Sequence, residues 1–163
     1  MADGEGRNGV WLAQHGHRVT TFDISAVGVE RARELAAENR VVLDQSIVDV
    51  ADWSWQPERY DTVVAIFIQF APAPLRARIF DGIRRTLKPG GVLILEGYGQ
   101  RQTPPRTGGP GVPEQLYSTP LLLRAFDGWS VLASRDVDSE LAEGAAHKGN
   151  SHLVSMALRK PAH

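Results

Sequence analysis

Apolar positions along this chain alternate between two spacings. Val10, Leu12 and Ala13, with Trp11 beside them, suggest a first helix, ended near "HGH" where Gly16 can turn the backbone. The run "RVTTFD" is rich in β-branched residues and closes on Asp23, as a short strand does. Val29, Ala32, Leu35 and Ala36 then recur at helical spacing in "AVGVERARELAAEN", with Glu and Arg between them and Ser25 placed as N-cap.

The alternation repeats downstream. "RVVLDQ" reads as strand and "DVADWSWQPERY" as a connection. "YDTVVAIFI" is a nearly unbroken apolar run, as in a strand buried on both faces. Leu75, Ile79, Ile83 and Leu87 form a helical stripe ended by "KPGG", and "VLILEGY" returns as strand. Residues 99–115 are rich in Pro and Gly, long for a compact domain, and read as a lid or an open loop. A helix "STPLLLRAF" follows, capped by Ser118 or Thr119 and stopped at Asp127-Gly128. The chain closes with "WSVLASRDV" and "SHLVSMALRK", joined by a segment too weakly patterned for a crossover helix, hence an antiparallel pair. Strands alternating with helices predict an α/β fold: a Rossmann-like, doubly wound, mostly parallel sheet with a C-terminal antiparallel hairpin. One domain over residues 1–163 is expected.

Composition narrows the chemistry. A chain of 163 residues can bury a substantial single core. A net charge of -1, with basic residues scattered, gives no electrostatic case for nucleic acid or an anionic membrane surface. The absence of Cys removes disulfides, thiolate metal sites and a thiol nucleophile, and fits a reducing cytoplasm. The longest apolar run, "TVVAIFIQFA", is short of the roughly 20 residues a membrane helix needs. No histidine spacing signals a metal site.

Two features carry candidate chemistry. Gly4-Glu5-Gly6 enters a helix, where glycine lets backbone N–H groups approach a ligand. Asp23 ends the next strand, the position from which doubly wound sheets reach ribose hydroxyls. Its alternative role is to cap the helix after it. With Gly9 completing G-E-G-R-N-G, both dinucleotides and S-adenosylmethionine (SAM) remain open at this point.

The set "DGEGRNGVWLAQHGHRVTTFDIS", "VVAIFIQF", "RRTLKPGGVLILEGY" and "EGAAHKGNSHLVSMALRK" resembles the class I SAM-dependent methyltransferases, especially the tellurite-resistance and thiopurine branch. The resemblance spans nearly the whole chain and implies methyl transfer from SAM to a small-molecule acceptor. It sets Gly4 and Gly6, with Asp3 and Asn8 beside them, against the methionine part of SAM, and Asp23 with Ile24 at the ribose. Asp49 and Val50 would contact adenine, and the segment near Phe67 to Phe70, Phe67 first, would border cofactor and substrate. The family's first strand, ahead of the glycine loop, has only Met1 and Ala2 in its place. The expectation is an N-terminally shortened chain lacking that strand.

Glu96, Tyr98, Tyr117, His147 and His152 are the residues able to meet an acceptor. Position at a strand's C-terminal end favours Glu96 and Tyr98, and His147 is the expected base. Asp49 can instead open a turn, and Trp53 and Trp55 can either stack on adenine or close an apolar edge. A homodimer is the assembly to test. The rivals are a non-catalytic SAM-binding or assembly module, and a nicotinamide oxidoreductase, which lacks a Tyr-x-x-x-Lys pair here.

Overall fold

The computed structural model describes residues 1–102, 111–142 and 148–162. They form two compact units, Met1–Ser54 and Trp55–His163.

The first unit is a βα arrangement built around one parallel strand pair. Helix α1 (Arg7–Gln14) follows the glycine loop, strand β1 covers Val19–Asp23, helix α2 covers Ala26–Glu38, and strand β2 covers Leu43–Ile47. Strands β1 and β2 are parallel, Val19 opposite Leu43 and Asp23 opposite Ile47. Helix α2 starts where the Ser25 hydroxyl accepts the Gly28 N–H at 3.0 Å, satisfying one of its open donors. Its predicted face is the buried one: Val29, Ala32 and Ala36 are within this unit's core with Val10 and Phe22. Strand β2 begins three residues later than the pattern "RVVLDQ" suggested. Arg40 adopts φ +55° and the Val41 N–H turns back to Ala36 O, finishing the helix with a left-handed residue and leaving Val42 exposed.

The second unit is a mixed sheet in the order β3-β4-β6-β5. Its elements are β3 (Tyr60–Ile66), α3 (Ala73–Thr86), β4 (Leu87–Tyr98), a 3-10 turn at Pro113–Gln115, α4 (Thr119–Ala125), β5 (Ser130–Ala142) and β6 (Lys148–Arg159). Strands β3 and β4 are parallel, whereas β6 runs antiparallel to both β4 and β5. The expected terminal hairpin is therefore present, and the α/β class with it.

One face of this sheet carries Val63, Ala65, Leu93, Leu95, Val154, Met156 and Leu158, all buried, as are Ile79, Phe80 and Ile83 of α3 and Leu122 of α4. On the other face Ile94 is 40% exposed, so burial on both faces is incomplete there. Leu87 does not complete the helical stripe. It opens β4 in extended geometry, and "KPGG" continues the strand as an irregularity: Tyr60 faces Leu87 but Thr62 faces Val92, with Gly90 at φ +74° in the excess. Strand β5 is an edge strand and is exposed along most of its described side chains, including Arg135, Asp136, Asp138 and Glu140.

Candidate functional site

In the first unit, the glycine loop and the end of β1 meet. The Gly4 N–H donates to Asp23 Oδ2 at 2.9 Å, and the Ser25 N–H donates to Oδ1 of the same carboxylate at 2.9 Å. The loop is tied again by Asp3, whose N–H reaches Phe22 O and whose Oδ2 accepts the Gly9 N–H at 3.1 Å. Burial raises the Asp3 carboxyl above the usual range, and the Gly9 amide pulls the other way. Gly6 is the N-cap of α1 at φ +82°, and a Cβ there would stand 2.6 Å from the Ala32 Cβ. A Cβ on Gly4, at φ +56°, would meet nothing within 4 Å among the described residues.

The apolar surroundings of Asp23 complete this corner. Ile24 is 68% exposed, with Val27 and Ile47 also exposed. Exposed branched side chains around a carboxylate suit a ligand with a flat apolar ring and a sugar, because the ring buries carbon surface while hydroxyls find an acceptor. Each Asp23 oxygen accepts one backbone N–H and retains a second lone pair. A nucleoside-bearing cofactor thus fits the residues present.

Other predicted positions have local roles too. Asp49 Oδ1 accepts the Ala51 N–H at 2.8 Å, opening a turn that the Asp52 N–H closes on Asp49 O. Val50 is buried, Asn8 is exposed on α1, and Trp53 stacks on Phe22 with ring centroids 4.2 Å apart.

In the second unit, the ends of β3 and β4 gather the remaining candidates. Phe67 takes φ +51°, uncommon for a bulky residue, while its N–H donates to Glu96 O at 2.8 Å. Its ring tilts against Tyr98 at 4.9 Å. Tyr98 is buried with Leu116 and Leu153, and the Glu96 carboxylate accepts the Ser155 hydroxyl. Trp55 packs over Gly82, where any Cβ would enter the indole. Tyr117 is fully buried, its hydroxyl without a hydrogen-bond partner among the described residues, and burial holds the phenol well above its usual range against the pull of Arg76. His147 lies outside the described residues. Among those described, no three His, Asp or Glu side chains cluster to hold a metal, and no helix is long and apolar enough to cross a membrane.

Gln69 lies within the Phe67–Phe70 segment, but its own role was not singled out from the sequence. Its amide is buried, donating to Tyr98 O at 2.8 Å and to Gln115 O at 3.0 Å while accepting the Tyr98 N–H. A lone amide inside "AIFIQFA" was the available signal, since a buried amide must find partners.

The sequence profile of a methyltransferase domain family matches residues 1–91, more than half of the chain. The chain belongs to that family. Solved structures agree with this methyltransferase domain in fold. TehB from Haemophilus influenzae shares 18% identity over 96% of the chain with a TM-score of 0.77, and the chain spans only 55% of it. A SAM-dependent methyltransferase from Methanosarcina mazei also shares 18% identity with a TM-score of 0.77, over 99% of this chain and 91% of that one. The 1,6-didemethyltoxoflavin-N1-methyltransferase of Burkholderia thailandensis, solved with 1,6-didemethyltoxoflavin and S-adenosylhomocysteine, shares 17% identity over 98% of this chain and 68% of its own, with a TM-score of 0.72. A comparison with curated proteins finds no match.

Proposed function

We propose that this methyltransferase domain transfers a methyl group from S-adenosylmethionine to a small-molecule acceptor. The observation that carries the reading is the Asp23 carboxylate holding the Gly4 N–H at 2.9 Å, which joins an acidic strand end to a bare glycine backbone. Family membership over residues 1–91 and the names of the Methanosarcina and Burkholderia enzymes support the choice of cofactor over a dinucleotide. A place near the tellurite-resistance and thiopurine branch belongs to the same reading, and the likeness to TehB is one of fold.

When bound, S-adenosylmethionine supplies a methyl group already activated on a sulfonium. The chain's task is therefore alignment and exclusion of water, for which few catalytic side chains are needed. Gly4 and Gly6, with Asp3 and Asn8 beside them, hold the amino-acid end. Asp23 accepts from the ribose hydroxyls and Ile24 packs beside them. Asp49 and Val50 border the adenine, and Phe67 takes the reacting end. Glu96 and Tyr98, at the C-terminal end of β4, meet the acceptor, and His147 removes its proton. Cytoplasmic residence and a homodimer belong to the same reading.

Titration calorimetry with SAM and S-adenosylhomocysteine tests the proposal. Binding of both, weakened by Asp23→Ala, is expected. No binding of either, or binding indifferent to Asp23, overturns it, and a response to NADH instead would favour an oxidoreductase. Transfer of the tritiated methyl group from methyl-labelled SAM to a panel of thiols, amines and phenols then separates an enzyme from a binding module.

A further inference from the structure

His152 has a set of contacts that the methyl-transfer reading leaves unexplained. It lies on β6 next to Leu153, which pairs with Tyr98 at the C-terminal end of β4. Its side chain is only 4% exposed. Both ring nitrogens are engaged: Nδ1 lies 2.9 Å from the Arg101 backbone nitrogen, and Nε2 lies 2.8 Å from Asp136 Oδ1. A backbone N–H can only donate, so Nδ1 must present its lone pair. The proton of the neutral ring then sits on Nε2 and is donated to Asp136.

The same residue binds its neighbours through the main chain. The His152 N–H donates to Gln102 Oε1 at 2.8 Å, and the Gly99 N–H donates to His152 O at 2.7 Å. Gly99 is needed for this approach, since any Cβ there would strike the imidazole. Asp136 is braced in turn by the Arg101 guanidinium at 3.1 Å and the Thr119 hydroxyl at 3.1 Å. These partners, the histidine foremost, keep its carboxyl below the usual range, so it is present as the charged acceptor that Nε2–H requires. With both nitrogens committed, His152 is not free to act as a base.

We infer that His152 is a positioning residue: as the Nε2–H tautomer bound to Asp136, it fixes the path that residues 99–102 take off the C-terminal end of β4. That this end faces the acceptor rests on the function proposed above, whereas the hydrogen-bond assignment does not.

Two substitutions separate the two nitrogens. His152→Asn keeps an acceptor near the place of Nδ1 but cannot reach Asp136. His152→Gln keeps a donor near the place of Nε2 but offers nothing to the Arg101 amide. Native-state amide exchange is measured in the full chain, with the Leu95 amide of the same molecule as internal reference for global opening. Arg101 exchange should rise about tenfold or more in His152→Gln and stay within about threefold of the parent in His152→Asn. A long-range nitrogen spectrum should show His152 with Nδ1 bare and Nε2 protonated. Equal Arg101 exchange in the two variants, or a proton on Nδ1, overturns the inference. Titration with S-adenosylhomocysteine is run alongside: failure of the parent to bind it counts against the cofactor reading, while the exchange contrast still decides the role of His152.

Discussion

The Cβ that Gly6 lacks would lie 2.6 Å from the Ala32 Cβ and 3.0 Å from its Cα, so the first turn of α1 rests directly on the middle of α2. Gly6→Ala should accordingly cost about 2 to 4 kcal/mol, combining a side chain forced to φ +82° with a contact that only backbone movement relieves. Gly6→Ala with Ala32→Gly removes the methyl contact but keeps the φ strain, so it should recover part of the loss. Urea unfolding of the single and double variants gives both numbers. A Gly6→Ala protein as stable as the parent would show that the two helices do not pack this way.

Asp23→Asn keeps one oxygen for a backbone N–H and replaces the other with a donor, which faces another donor whichever way the amide turns. Loss of one charge-assisted bond predicts about 1 to 2 kcal/mol of destabilisation. Affinity for S-adenosylhomocysteine should fall about tenfold or more, since the lone pairs offered to ribose hydroxyls are halved and uncharged. Denaturant midpoints and calorimetry on the same samples distinguish these effects.

Gln69→Leu removes the amide that serves Tyr98 N–H, Tyr98 O and Gln115 O at once. Leaving buried backbone groups unpaired predicts a loss of about 2 to 5 kcal/mol, larger than for a typical surface amide. Gln69→Glu should do less harm at acidic pH than at neutral pH, because a protonated carboxyl can both donate and accept. Thermal unfolding across pH 4 to 8, roughly the range into which burial raises a Glu, reports this directly.

Asp136 gives a pH prediction whose sign is fixed by its lowered carboxyl. The folded state prefers the ionised form more than the unfolded chain does, so the stabilisation is complete above the unfolded value of about 3.9 and disappears as pH drops through the lower folded one. Asp136→Asn should therefore flatten part of the acid limb of the stability curve below about pH 4, with little change in the slope above pH 6. Chemical unfolding at stepped pH measures the difference between the two curves.

Much of this arrangement was written locally. Helix α2 could be read from Ser25 and the spacing of Val29, Ala32 and Ala36, because a cap and a 3.6-residue period act within a dozen residues. Asp23 was likewise legible as a strand-end acid beside a glycine loop. What it binds in the folded chain was not, because its partner Gly4 lies 19 residues away in the sequence. Strand β2 starts later than its apolar pattern because Arg40 takes a left-handed backbone that nothing in its side chain announces. Leu87 fits the helical stripe on α3 as well as it fits a strand, and the pairing of Tyr60 with Leu87 decides the matter. Gln69, Asp136 and His152 are long-range polar contacts, and no period in a sequence encodes which distant carbonyl or amide such groups will meet.

Strand β5 ends the sheet with a largely acidic set of exposed side chains, Arg135, Asp136, Asp138 and Glu140. A rim of that kind repels a neighbouring backbone that would have to shed water to zip onto it. Crowded copies of this protein are thereby guarded against fibrous stacking through their longest unpaired border, and any pairing between two molecules is expected to use a different surface.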